Sequence, residues 1–225
     1  MPQAGMHSLV GVAIRKWVPR AEWLMLGIVL GNLFPDTDNL AVAYATVAKL
    51  PTEGIHRTFT HSLFTVVAIL AIFYLVAALT KKSRWLNLGI GLGVGVLMHI
   101  LLDLLIWFNG VAILWPIPSW IDLWAGYTPP VWFDKLMLTG EYLFFGLYFL
   151  LLISLARRQQ TDSSYRKPLR IWTIIQFTLF AVLTVLVFGM GKGFTTLNGL
   201  LYLLSLALAI GVTIRMRRTI EFSTA

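Results

Sequence analysis

The four histidines of this 225-residue chain, His7, His56, His61 and His99, all fall in its first half, and three aspartates accompany them: Asp36, Asp38 and Asp103. Asp36 and Asp38 belong to Pro35-Asp-Thr-Asp, and His56 and His61 bracket the segment His-Arg-Thr-Phe-Thr-His-Ser. His99 and Asp103 are four residues apart in an apolar run, so on a helix they project from one face. Imidazole and carboxylate donors together suit zinc, manganese, iron or another divalent ion. With no cysteine in the chain, thiolate ligands, disulfides and a cysteine nucleophile are excluded. A His/Asp centre of this kind is hydrolytic in character: a bound ion brings the pKa of its water toward about 7 and polarises a phosphoryl or carbonyl oxygen. Taken singly, each motif also has an ordinary reading. His99 and Asp103 could be an intramembrane hydrogen-bonded pair, Pro35-Asp-Thr-Asp a helix end, and His56 and His61 loop residues.

The elements that carry these residues belong in a membrane. Hydrophobic residues make up 58% of the chain and charged ones 12%, where a soluble domain carries about a quarter charged. Continuous apolar runs of roughly 20 residues, enough to cross the hydrocarbon as helix, recur along the chain. They lie at about 61–80, 86–108, 136–156, 169–188 and, slightly shorter, 197–214. The expectation is an all-α, polytopic integral membrane helical bundle of about five transmembrane helices. Two short apolar stretches, 4–17 and 21–34, precede them and suit a re-entrant or packed helical hairpin. The chain reads as a single membrane domain, 1–225, with a motif-bearing region 1–145 and C-terminal transmembrane helices in 146–225. Gly89, Gly91, Gly93 and Gly95 open the helix that carries His99. They lack the spacing of a dinucleotide fingerprint and suit close helix approach. Gly189-Met-Gly-Lys-Gly reads as a tight turn, and residues 109–135, rich in Trp and Pro with Trp107 beside them, as an interfacial loop.

Charge placement sets the orientation. Of the 18 Lys and Arg residues, fourteen cluster at helix ends that alternate to one side: Arg15 to Arg20, Lys81 to Arg84, Arg157 to Arg170 and Arg215 to Arg218. The positive-inside rule makes that side cytoplasmic. The net charge of +8 is then topology, and nucleic acid is not an expected partner. The same alternation brings Pro35-Asp-Thr-Asp, His61 and the His99/Asp103 pair to one level, toward the non-cytoplasmic face. His7 reaches it if the first apolar stretch runs toward Arg15.

The motifs Gly-Met-His, Pro-Asp-Thr-Asp, His-Arg-Thr-Phe-Thr-His-Ser, His-Ile-Leu-Leu-Asp and Leu-Trp-Pro occur in this order within residues 4–145. The chain resembles the YdjM-like family of inner-membrane-bound, metal-dependent hydrolases, which is distantly similar to zinc-dependent phospholipases C. The resemblance implies an inner-membrane location and a metal-ligand set of His7, Asp36, His61, His99 and Asp103. It places His56 and Asp38 in or beside that set, and offers Glu141 as a late acidic ligand. Zinc is the implied ion, with manganese or iron as alternatives.

The function expected is a metal-dependent hydrolase of a phosphoester on a membrane lipid or lipid-linked substrate, phospholipase- or phosphatase-like, using metal-activated water. Asp38 or His56 suits a general base, and Arg57 suits neutralising phosphate charge or snorkelling to the interface. Two other classes stay open: a metal-ion or proton transporter or channel, and a structural or regulatory membrane protein with a non-catalytic metal site. Transporters often show repeated halves. Here every histidine lies in one half and the last two helical runs hold no carboxylate, which favours the enzyme. Oligomeric state is not legible.

Overall fold

A computed structural model of the chain describes residues 4–190 and 193–221. The long helices are α1 (Ala4–Ala13), α2 (Leu24–Leu33), α3 (Asn39–Val47), α4 (Leu63–Thr80) and α5 (Ser83–Ile106), then α6 (Val131–Arg158), α7 (Arg166–Gly189) and α8 (Gly193–Arg215), with a short α9 (Arg217–Ile220). Among the described residues there is no strand, and an isolated backbone bridge joins Val111 to Ile121. Five helical stretches are long and apolar enough to cross a membrane: α4, α5, α6, α7 with the turn before it, and α8. The expected all-α polytopic bundle is therefore found. Gly191 and Lys192, inside the glycine-rich turn read between the last two helices, lie outside the described residues.

The helix ends follow from local chemistry. Pro35 cannot continue α2 and opens a 3-10 turn, Pro35–Asp38, that carries both aspartates. Ser62 caps α4 by accepting the Phe64 N–H at 3.2 Å. Lys81 in the left-handed region stops α4, and α5 begins two residues later. So short a connection makes α4 and α5 antiparallel neighbours. In α6, Asp134 lies in the first turn and Arg157 and Arg158 in the last, matching the helix dipole.

The chain divides into two compact units: Ile14–Thr128, and α1 with the described chain from Pro129 onward. In the second, α1 and α7 pack on α6. A cluster of Tyr142, Leu183, Val187 and Phe194 forms part of its core. Polar pairs cross between its helices, Tyr142 to Asn198, Tyr148 to Thr213, Gln176 to Ser205 and Thr139 to Thr184.

In the Ile14–Thr128 unit α2 packs on α5, and α5 on α4. The glycines of α5 alternate between these neighbours. Gly89 and Gly93 face Phe73, Leu70 and Val66 of α4, while Gly91 and Gly95 face Gly27 and Gly31 of α2. On the α2 side the backbones nearly touch. A Cβ at Gly95 would stand 2.7 Å from the Gly31 Cα, and one at Gly91 2.9 Å from the Gly27 Cα. Neighbouring carbonyl oxygens would be closer still. Small residues at four-residue spacing on both helices permit this approach.

Replacing Gly95 or Gly31 with alanine would therefore press a methyl into the opposite backbone, which cannot rotate away. We expect Gly95→Ala and Gly31→Ala each to destabilise the protein by about 1–3 kcal/mol. Gly211→Ala, with open space around the added Cβ, should be neutral or stabilising by up to about 1 kcal/mol. Thermal unfolding in detergent measures all three. Equal melting temperatures for Gly95→Ala and wild type would refute the close packing.

Candidate metal centre

Gly91, Gly95, His99 and Asp103 form one stripe along α5, each a helical turn beyond the last. The two glycines bring α2 close, and the next two positions then face the residues that end α2. His99 is fully buried, and its Nδ1 lies 2.8 Å from the Asn32 carbonyl oxygen in the last turn of α2. The turn that follows is tied by its own side chains. Thr37 Oγ1 donates to the Phe34 carbonyl at 2.6 Å, and Asn39 Nδ2 to the Asp36 carbonyl at 2.9 Å. Asp36 is thereby held buried beside His99, with its Oδ1 4.0 Å from the His99 Nε2.

The histidine segment arrives from loop and 3-10 backbone just before α4. Ser62 Oγ donates to the Trp115 carbonyl at 2.8 Å, and the Leu63 N–H to the Ile113 carbonyl at 2.8 Å. Between them these bonds dock the segment on the loop that follows α5. His61 is fully buried. Its Nε2 lies 3.1 Å from the His99 Nε2 and 3.5 Å from Asp103 Oδ2, and His99 Nε2 is 3.7 Å from that same oxygen.

The hydrogen bonds behind these rings decide their tautomers. The Asn32 carbonyl can only accept, so His99 Nδ1 carries a hydrogen and its Nε2 presents a lone pair in the neutral ring. Thr60 Oγ1 donates to Asp38 Oδ2 at 3.0 Å and so accepts from His61 Nδ1, also at 3.0 Å. The neutral His61 likewise presents its Nε2 lone pair. Two lone pairs facing each other at 3.1 Å repel unless a proton or a cation stands between them. Donor atoms about 2.0–2.1 Å from a tetrahedral zinc are about 3.3 Å from one another. The separations of 3.1 to 4.0 Å among His61, His99, Asp103 and Asp36 are close to that spacing. With neutral imidazoles, the carboxylates of Asp36, Asp38 and Asp103 exceed the one guanidinium of Arg57 by the charge of a single divalent ion. The donor set and these spacings fit a divalent metal in this cluster, and the group Asp36, His61 and His99 meets the geometric requirement for one.

Asp38 organises the neighbourhood. Its Oδ1 takes the His56 Nδ1–H at 2.7 Å and Asn39 Nδ2 at 3.3 Å. Its Oδ2 takes the Arg57 backbone N–H at 3.1 Å and Thr60, with His61 Nδ1 at 3.4 Å. Burial works to raise the Asp38 carboxyl, but hydrogen bonds and charge from His56 and His61 outweigh it and hold the group well below the usual carboxylate range. Burial lowers His56 to about 4 against the pull of Asp38. His56 is then neutral at pH 7, with Nδ1–H fixed on Asp38 and a buried Nε2 that has no hydrogen-bond partner. For His61 burial acts downward, but hydrogen bonds to Asp103 and Asp38 and their charges raise it to about 9.

Of the residues expected from sequence, Asp36, Asp38, His56, Arg57, His61, His99 and Asp103 all gather in the Ile14–Thr128 unit. His7, buried on α1, and Glu141, buried on α6, lie in the other unit. There Glu141 Oε1 accepts the Gly5 N–H at 2.8 Å. Sequence reasoning missed Thr60 as the link between Asp38 and His61, although it lies inside the histidine motif. It also missed the Asn32 carbonyl, for which no side-chain pattern gives a signal. Trp107, read as part of an interfacial stretch, is buried, whereas Trp115, Trp120, Trp124 and Trp132 are exposed. The difference arises because Trp107 directly follows α5 and lies against Arg57.

A prediction about protons follows from His61. Its raised value means that Nε2 holds a proton below about pH 9 in the metal-free site, and an ion must displace that proton to bind. Zinc binding at pH 7 should therefore release about one proton, and apparent affinity should rise about tenfold per pH unit until about pH 9. Titration calorimetry in two buffers of different ionisation enthalpy checks this. Binding without proton release would rule out the arrangement.

No curated protein and no solved structure matches the chain significantly. The family model described as the YdjM inner membrane protein matches residues 3–219. With nearly its whole length matched and five helices fit to span a bilayer, this multi-pass chain belongs to the YdjM inner membrane protein family.

Proposed function

We propose that the protein is a membrane-embedded, metal-dependent hydrolase that cleaves a phosphoester of a lipid or lipid-linked substrate, with its site toward the non-cytoplasmic face. The observation that carries this reading is the meeting of the His61 and His99 Nε2 atoms with oxygens of Asp36 and Asp103, close to His56, whose buried Nε2 has no hydrogen-bond partner. His61, His99, Asp36 and Asp103 would hold the ion, zinc before manganese or iron. A divalent ion there supplies Lewis acidity and a more acidic water. The chain's own contribution is acid–base: His56 Nε2 is free to take a proton, and Asp38 holds the ring in the tautomer that permits it. Asp38 is the weaker candidate for general base because both its oxygens are already engaged by donors. This is the division of labour of a carboxylate–histidine pair, in which the acid orients and the imidazole accepts.

The surroundings favour a substrate from the bilayer. Asp38 and His56 have the most accessible side chains of the group. Next to them in the chain, Leu40, Tyr44 and Val47 of α3 are exposed, as are Phe59, Leu63 and Phe64. Phe59 packs edge-on against the exposed Trp115, with ring centroids 5.5 Å apart. These residues run into α4, which buries only Thr65 and Val66 along its length. An apolar apron continuous with a lipid-facing helix suits acyl chains better than a soluble metabolite.

The continuous chain from His56 through Asp38 and Thr60 to His61 and His99 supports a second reading, a proton relay without metal. Metal analysis separates the two. Purified wild type should hold at least about one equivalent of divalent metal, and His99→Ala and Asp103→Ala should lose it. His56→Ala should keep the metal while turnover of lipid phosphoesters falls about 10²–10⁴-fold. Wild-type turnover in His56→Ala would remove that residue from the mechanism. Wild type that stays metal-free after addition of zinc or manganese would refute the hydrolase.

A further inference from the structure

Arg57 has one donor edge that the metal centre does not use. The residue is 3% exposed and lies in the left-handed region, φ 64°, an uncommon conformation for a side chain of this size. Four contacts hold it there. Its N–H donates to Asp38 Oδ2, and its carbonyl accepts the Ala112 N–H at 3.0 Å. Nη1 donates to the Asn109 carbonyl at 2.8 Å, and Nε faces Asp103 Oδ2 at 3.4 Å. The remaining nitrogen, Nη2, is buried and has no hydrogen-bond partner.

A second donor close by is in the same condition. Trp107 is 3% exposed, and its indole Nε1–H is buried without a partner. The guanidinium carbon of Arg57 lies 5.9 Å from the Trp107 ring centroid, so the two unused donors share one neighbourhood. At that distance a cation–π contact is at the edge of its range, and it satisfies neither N–H. Leaving a buried N–H without an acceptor costs a protein free energy. Two buried N–H donors in one neighbourhood, both able only to donate, are complementary to an anion with several oxygen acceptors.

We propose that Arg57 Nη2 and Trp107 Nε1 form an oxyanion subsite beside the metal centre that takes the phosphate group of the substrate. This rests on the hydrolase reading and deepens it by assigning the residues that would hold the phosphate. Asp103 couples the two parts, since it lies against Arg57 Nε on one side and His61 and His99 on the other. The guanidinium fork suits phosphate oxygens as a lysine would not.

The test uses the full-length protein loaded with zinc in detergent, with metal content and melting temperature recorded for every variant. Binding of inorganic phosphate and of a short-chain phosphatidic acid is measured by calorimetry for wild type, Arg57→Lys and Trp107→Phe. Trp107→Phe keeps an aromatic side chain and removes the indole N–H together with part of the ring. Its metal content and melting temperature report any disturbance from the smaller ring, so it tests the proposal even if the arginine variant fails to fold. We expect each variant to keep its metal and to bind both ligands about tenfold more weakly or worse. Weakening seen with phosphatidic acid alone, where free phosphate does not bind wild type, supports the subsite and identifies a lipid headgroup as its source. Wild-type affinity of Trp107→Phe for both ligands overturns the proposal while leaving the hydrolase reading intact. A wild type that takes up no metal, yet binds phosphate through these two residues, would keep the subsite and remove the hydrolase.

Discussion

The contact on which the site depends is the near-touching of α2 and α5 backbones at Gly27, Gly31, Gly91 and Gly95. In hydrocarbon there is no hydrophobic force to bring helices together, so close packing and direct polar contacts must do it. Here the first produces the second. Because α2 lies so near, its last-turn carbonyl at Asn32 reaches His99, and the proline-initiated turn after it reaches the same ring with Asp36. Larger side chains along this seam would separate the helices by more than a hydrogen bond can bridge. The other unit is tied differently, by hydroxyl and amide pairs that cross between helices.

Buried charge imposes the next constraint. Asp36 and Asp103 are almost wholly removed from solvent, and an isolated carboxylate in such surroundings would be costly. Asp38 shows the solution the protein uses, since backbone, hydroxyl and imidazole donors surround its two oxygens. Those donors also orient the rings that carry them. One carboxylate thus fixes the tautomers of His56 and His61, and a backbone carbonyl fixes that of His99. Such outer hydrogen bonds are what turn histidines into directed ligands.

The irregular backbone that supplies these groups is itself protected. Residues 56–63 and 107–115 hydrogen-bond to each other through Arg57, Ser62, Leu63, Asn109, Ala112, Ile113 and Trp115. Backbone polar groups of irregular chain need partners of their own, and the two loops supply them to one another. The arrangement leaves Arg57 locked in a left-handed conformation with part of its guanidinium unused.

Much of this was legible in the residues alone. Apolar run lengths determined the five spanning helices, because a bilayer sets a length that sequence must meet. The spacing of His99 and Asp103, and their isolation in an apolar helix, marked them as a pair with work to do. The glycine stripe announced a close helix contact. Tertiary structure decided the rest. Only the fold shows that Gly91 and Gly95 meet α2 while Gly89 and Gly93 meet α4, since a helix with glycine at every second position offers both faces equally. Only the fold shows that Thr60 relays Asp38 to His61, that a main-chain carbonyl orients His99, and that Trp107 is buried against Arg57. A backbone acceptor has no residue type, and a hydrogen-bond partner dozens of residues away leaves no trace in local spacing. What the residues by themselves determined is therefore which groups could bind a metal. Which nitrogen each histidine presents, and to what, was settled by packing.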